Sequence, residues 1–112
     1  METVLVLKNP IKINGEEVKS IKYDFDNLTL KDMSEAEKRM LENGQITMTL
    51  EEMNYSWHSF LFAAAAVKAN PETDSLDYMR IKGVDALRAK KISRNFILTA
   101  EDGEEDSLDL PQ

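Results

Sequence analysis

Residues 3–25 carry the patterns of β structure, an apolar run and then period-two alternation of apolar and polar positions. Val4 to Leu7 form an apolar run, Pro10 interrupts, and Ile11-Lys12-Ile13 alternates again. Asn14-Gly15 follows, a strong hairpin signal, because a type I′ turn needs positive φ at both central positions. Beyond it Ile21, Tyr23 and Phe25 alternate with Lys22 and Asp24. Val18 is out of phase with them, which predicts a bulge near Lys19-Ser20. Residues 3–25 are thus expected to form an antiparallel hairpin or a three-stranded meander. Such a unit needs helices to pack against.

The rhythm then lengthens to that of helices. Thr29-Leu30-Lys31-Asp32 is a Thr-x-x-Asp start signal, and Gly44 is the expected stop. Leu30, Met33, Ala36, Met40 and Leu41 fall on one face of this helix. Residues 45–49 fit a short strand or an extended connection. A second helix is predicted from about Leu50 to Ala69, ended by Asn70-Pro71. Leu50, Met53, Trp57, Phe60, Leu61, Ala64 and Val67 keep its i, i+3, i+4, i+7 spacing, while Tyr55, Phe62, Ala66 and Ala69 lie on the other side. A helix apolar on two faces is either central in its domain or covered by a partner. A short helix over 75–81 and a last helix from about Val84 to Leu98 complete the pattern. The predicted fold class is α+β: an N-terminal antiparallel β-hairpin or meander packed on a three- to four-helix bundle. Residues 1–99 form one domain and 100–112 a disordered acidic tail.

Charge sharpens that division. The net charge is −7, but residues 101–112 hold six acids and no base, which leaves 15 acids against 14 bases elsewhere. A nearly neutral body argues against a dedicated nucleic-acid binder, which shows a basic excess. The chain has no cysteine, so thiol chemistry and thiolate metal sites are excluded. No basic n-region precedes the first apolar run, and Phe60–Val67 is far short of the ~20 apolar residues that cross a bilayer. A cytoplasmic protein is expected.

Candidate chemistry adds little. His58 is the single histidine, and no partner stands at a spacing suited to base catalysis or metal ligation. Glu16-Glu17 and Glu51-Glu52 match no ligand loop and read as solvated turn and helix-start charges. There is no Gly-rich phosphate loop and no nucleophile elbow. We therefore expect no enzyme, no catalytic, cofactor-binding or metal residue, and no cofactor.

The last helix is the unusual segment. Its projection sets Leu87 and Leu98 on one flank and Ile92 and Phe96 on the other, with Arg88, Lys91 and Asn95 between. Either the cationic stems cover apolar surface while their heads reach water, or the strip orients a partner. Arg80, Lys82, Lys90 and Arg94 extend the basic character. Candidate partner-binding residues are therefore Arg88, Lys91, Arg94, Asn95 and Phe96. Tyr55 and Phe62 are added as aromatic anchors whose alternative is packing in the core. The acidic tail could lie over the basic helix as a weak, salt-screened cover, or serve solubility alone.

In this order the features resemble the tail assembly chaperones of tailed phages and prophages. The resemblance rests on Leu7-Lys8-Asn9-Pro10-Ile11-Lys12-Ile13-Asn14-Gly15-Glu16-Glu17-Val18, on the Leu28-Thr29 entry to an acidic helix, and on Gly83-Val84-Asp85 leading through a basic helix to Asn95-Phe96-Ile97-Leu98. It covers about residues 5–99; residues 44–54 and the acidic tail have no counterpart. The resemblance implies a non-catalytic role in virion assembly: binding the tape measure protein, recruiting tail tube subunits, and absence from the finished particle. It also implies that a longer, frameshifted form can exist. Homo-oligomerisation is compatible with it; nucleic acid and membrane are not expected partners. A structural tail or baseplate component, or a small nucleic-acid-binding regulator using residues 80–94, is the alternative. Six methionines offer adaptable apolar surface of the kind promiscuous binders use, unless they fill the core.

Overall fold

The computed structural model describes the backbone of residues 3–43 and 50–109 and the side chains of residues 3–42 and 56–100. The chain runs β1 (Val4–Ile13), β2 (Glu16–Lys22), α1 (Leu30–Asn43), α2 (Leu50–Ala69), α3 (Ser75–Tyr78) and α4 (Val84–Asp109). The fold is α+β, with an antiparallel two-stranded hairpin and four helices among the described residues. Asn14 and Gly15 both have positive φ, 54° and 82°, as the Asn-Gly turn predicts. The third strand of a meander does not form: β2 ends at Lys22, and the Asp24 N–H donates to the Ala65 carbonyl of α2 at 2.9 Å.

The bulge falls at the expected place in the ladder, at Lys19, but on the other strand. Val6 pairs with Ser20 and Ile11 with Val18, so Leu7 to Pro10 stand opposite Lys19 alone. The irregular strand is therefore β1, at its proline, rather than β2 at Lys19-Ser20. Proline cannot donate to the ladder, so a strand that contains it bends away from its partner there. Lys8, Asn9 and Pro10 lift outward, while Leu5, Leu7, Ile11 and Ile13 stay buried.

Helix α2 is central. Its small residues Ala63, Ala65 and Ala66 are fully buried, which lets β2 and α4 approach its backbone closely. Leu61 and Phe62 join the main core with the hairpin's inner face, Phe25, Tyr78 and Ala89. On another side of α2, Phe60 packs with Ala36 and Met40 of α1 in a smaller cluster. Over the described side chains of α2, from Ser56 onward, the two-faced pattern is thus explained inside the domain. Phe62, expected as an exposed anchor, is 2% exposed and packs 5.4 Å from Tyr23.

The start of α1 follows its sequence signal. The Thr29 hydroxyl accepts the Asp32 N–H at 3.1 Å, and the Asp32 carboxylate accepts the Thr29 N–H at 2.9 Å. Lys68 of α2 pairs with the same carboxylate at 2.7 Å and, with the Thr29 N–H, holds it below the usual aspartate range. Leu30 and Leu41, expected on the inner face of α1, are exposed, because the helix buries only the arc that meets α2. The expected stop at Gly44 and the open reading of 45–49 lie outside the described residues. Helix α4 runs on through Asp109, past the end predicted at Leu98. The side chains of the acidic segment, expected as a disordered tail over residues 100–112, lie outside the described ones from residue 101 onward.

Candidate protein-docking surface on the last helix

Helix α4 is aimed by its own first turn. Gly83, with φ 63°, reverses the chain after α3, a conformation that costs glycine little. Two residues later the Asp85 carboxylate is fully buried against the β1 bulge. Its two oxygens accept the Lys8 N–H at 3.0 Å and the Asn9 N–H at 2.8 Å, donors left without a ladder partner by the bulge. These main-chain donors, and then the Arg88 guanidinium, hold the Asp85 carboxyl below the usual aspartate range despite burial. Arg88 lies 3.3 Å from that carboxylate and donates to the Val6 carbonyl at 2.7 Å. Arg80 donates to the Lys12 carbonyl at 2.6 Å. Two arginines thus grip β1 on either side of the bulge, and part of the basic character of residues 80–94 is structural.

Below this joint α4 has two unlike sides. Asp85, Ala89 and Ser93 are buried, and Ile92, Phe96 and Ile97 pack on the main core. Phe96 stacks on Phe25 with ring centroids 4.6 Å apart. On the opposite side Val84, Leu87, Lys91, Arg94, Asn95 and Leu98 are exposed, Leu87 by 67%. Neither Lys91 nor Arg94 makes an ion pair among the described residues. The projection is therefore half right: the Leu87/Leu98 flank faces water, while the Ile92/Phe96 flank belongs to the core.

Of the residues expected to bind a partner, the structure brings Lys91, Arg94 and Asn95 together on this open side. Arg88 is half-buried and committed to Asp85 and Val6, Phe96 is half-buried, and Phe62 is inside. The side chain of Tyr55 lies outside the described residues. Sequence reasoning missed Asp85. Its signal was available: an aspartate in a helix's first turn with a proline-containing strand elsewhere, although nothing local says the two meet.

His58, on α2, is half-buried between these helices. Burial, and then the charges of Arg94 and Lys90, push its pKa below the ordinary histidine value. Among the described residues no group of three or more acidic, histidine or cysteine side chains is placed to hold a metal. A cleft of about 420 Å³ between α1 and α2 is spanned by the Lys68–Asp32 and Arg39–Asp74 pairs, the latter at 3.1 Å. Four of the five charged groups that line it are thus paired with one another. Among the described residues no helix is long and apolar enough to cross a membrane.

Comparison with protein-family models, with curated proteins and with solved structures finds no match.

Proposed function

We propose that the chain is a non-catalytic protein-binding module that serves as a phage tail assembly chaperone. In that role it holds the tape measure protein in the host cytoplasm and helps recruit tail tube subunits, and it leaves before the particle is finished. The observation that carries the reading is the open side of α4. Leucines at positions 87 and 98 flank two cations and an asparagine, all exposed on a helix fixed firmly from behind. A rigid helix with apolar contacts and a polar strip that sets register suits the reversible binding of a long amphipathic segment. Exposed Leu30 and Leu41 on α1 add modest apolar area of the same kind. The ordered resemblance over residues 5–99 supplies the biological setting.

The test is co-expression with a tape measure protein encoded beside this chain. The expected result is soluble tape measure only when this chain is present, with solubility lost for Leu87→Glu combined with Leu98→Glu. A tape measure equally soluble without this chain, or this chain retained in purified particles, would overturn the chaperone reading. The second outcome would favour a structural tail component.

A further inference from the structure

Leu87, Lys91, Arg94 and Leu98 follow one another by four, three and four residues. At the pitch of an α-helix they fall within an arc of about 60° on α4, with the two leucines about three turns apart. All four are exposed, and Val84 prolongs the apolar end. Any surface that covers Leu87 and Leu98 therefore covers Lys91 and Arg94 too. Neither cation has an ion pair among the described residues. Residues 80–94 hold six cations against one acid, Asp85, and its buried carboxylate is taken by the β1 bulge and Arg88.

We infer that the occupant of this face is an amphipathic helix of a partner protein with two carboxylates set into its apolar seam, in the order Leu-x-x-x-Glu-x-x-Glu-x-x-x-Leu. This deepens the reading of α4 as a docking surface and rests on it. Steps of three and four residues are the seam spacing of paired helices. A run of four, three and four reads the same from either end. Such a helix therefore sets leucine against leucine and carboxylate against cation whether it lies parallel or antiparallel. A neutral or basic seam would cover Lys91 and Arg94 without a counter-charge, which is costly. The leucines supply contact area, and the cations reject the wrong helix.

An amide NMR titration of the full chain with two synthetic helical peptides tests this without any tape measure protein. One carries the acidic seam above, with alanine and glutamine elsewhere; its twin has lysine in place of both glutamates. The chain's net charge is −7, so long-range attraction favours the basic twin, and preference for the acidic one reads the strip itself. The expected result is shifts along residues 84–98 and at least about tenfold tighter binding of the acidic peptide at low salt. That preference should collapse at about 1 M salt, where the screening length is about 3 Å. Lys91→Glu with Arg94→Glu should reverse it, a switch that loss of folding cannot mimic. Equal binding of the twins, binding of neither, or shifts elsewhere in the chain would overturn the inference. So would a face already covered by a second copy, or tighter binding to anionic phospholipid vesicles than to the acidic peptide. Tape measure kept soluble by a chain that ignores the seam charge would sink this inference alone. Selective acidic binding with tape measure indifferent to the chain would sink only the chaperone reading.

Discussion

The two sides of α4 solve the same problem in opposite ways. Each places charge in an otherwise apolar stripe. On the inner side Asp85 is fully buried, and both carboxylate oxygens accept main-chain donors of the β1 bulge. On the outer side Lys91 and Arg94 stand between exposed leucines. Burying a charge is tolerable only when hydrogen bonds replace its water, and the bulge provides them. The outer cations keep their water. A stripe of the same composition can therefore be core or surface, depending on whether a donor-rich backbone faces it.

The contrast is most directly broken at Asp85. Asp85→Ala strands two part-buried N–H groups and frees Arg88, and is expected to cost more stability than any other change named here, read as a lower denaturant midpoint. Its carboxyl is held below the ordinary value in the folded protein. Its contribution is therefore complete at neutral pH. It is lost as pH falls from about 4, the unfolded aspartate value, through the lower folded one. Thermal midpoints across that range should fall more steeply for the parent than for Asp85→Ala; parallel curves would remove Asp85 from the acid response.

Ser93 tests how tightly the inner side is packed. Ser93→Leu should destabilise by about 1–3 kcal/mol through overpacking against α2. The Ser93 hydroxyl is buried with no hydrogen-bond partner among the described residues. Ser93→Ala should therefore stabilise by about 1 kcal/mol, since an unpaired buried hydroxyl is a net cost; a loss on urea titration would show that the hydroxyl is satisfied. At the other extreme Leu87→Glu should alter folding stability by no more than about 0.5 kcal/mol. Its effect belongs to association: a large loss of stability would place Leu87 in the core and remove the distinction between the two sides.

Much of the backbone was legible in advance. The Asn14-Gly15 turn, the Thr29–Asp32 cap and the bounds of α2 follow from short-range rules, because turns and caps are decided by residues within three or four positions. What failed involved partners distant in sequence. Val18 drew the bulge to β2, but the structure resolves the phase conflict on β1 at Pro10. The alternation of Ile21, Tyr23 and Phe25 continues past the end of β2 at Lys22, but Asp24 bonds to α2 and the two rings pack edge-on, 5.6 Å apart, instead of extending the sheet. Phe62 was a candidate because aromatics concentrate in binding hot spots, and its ring is covered within the domain.

The sequence by itself determined where the helices start and the hairpin turn lies, that the acids concentrate after residue 100, and that the last helix carries an unusual mixture of leucines and cations. Periodicity and composition are enough for that. Only the tertiary structure decided which flank of this helix is open, since that depends on where the β1 bulge sets Asp85 and on Phe25 stacking against Phe96. Those contacts join residues more than 70 positions apart, and a buried charge accepts only the one orientation that satisfies it.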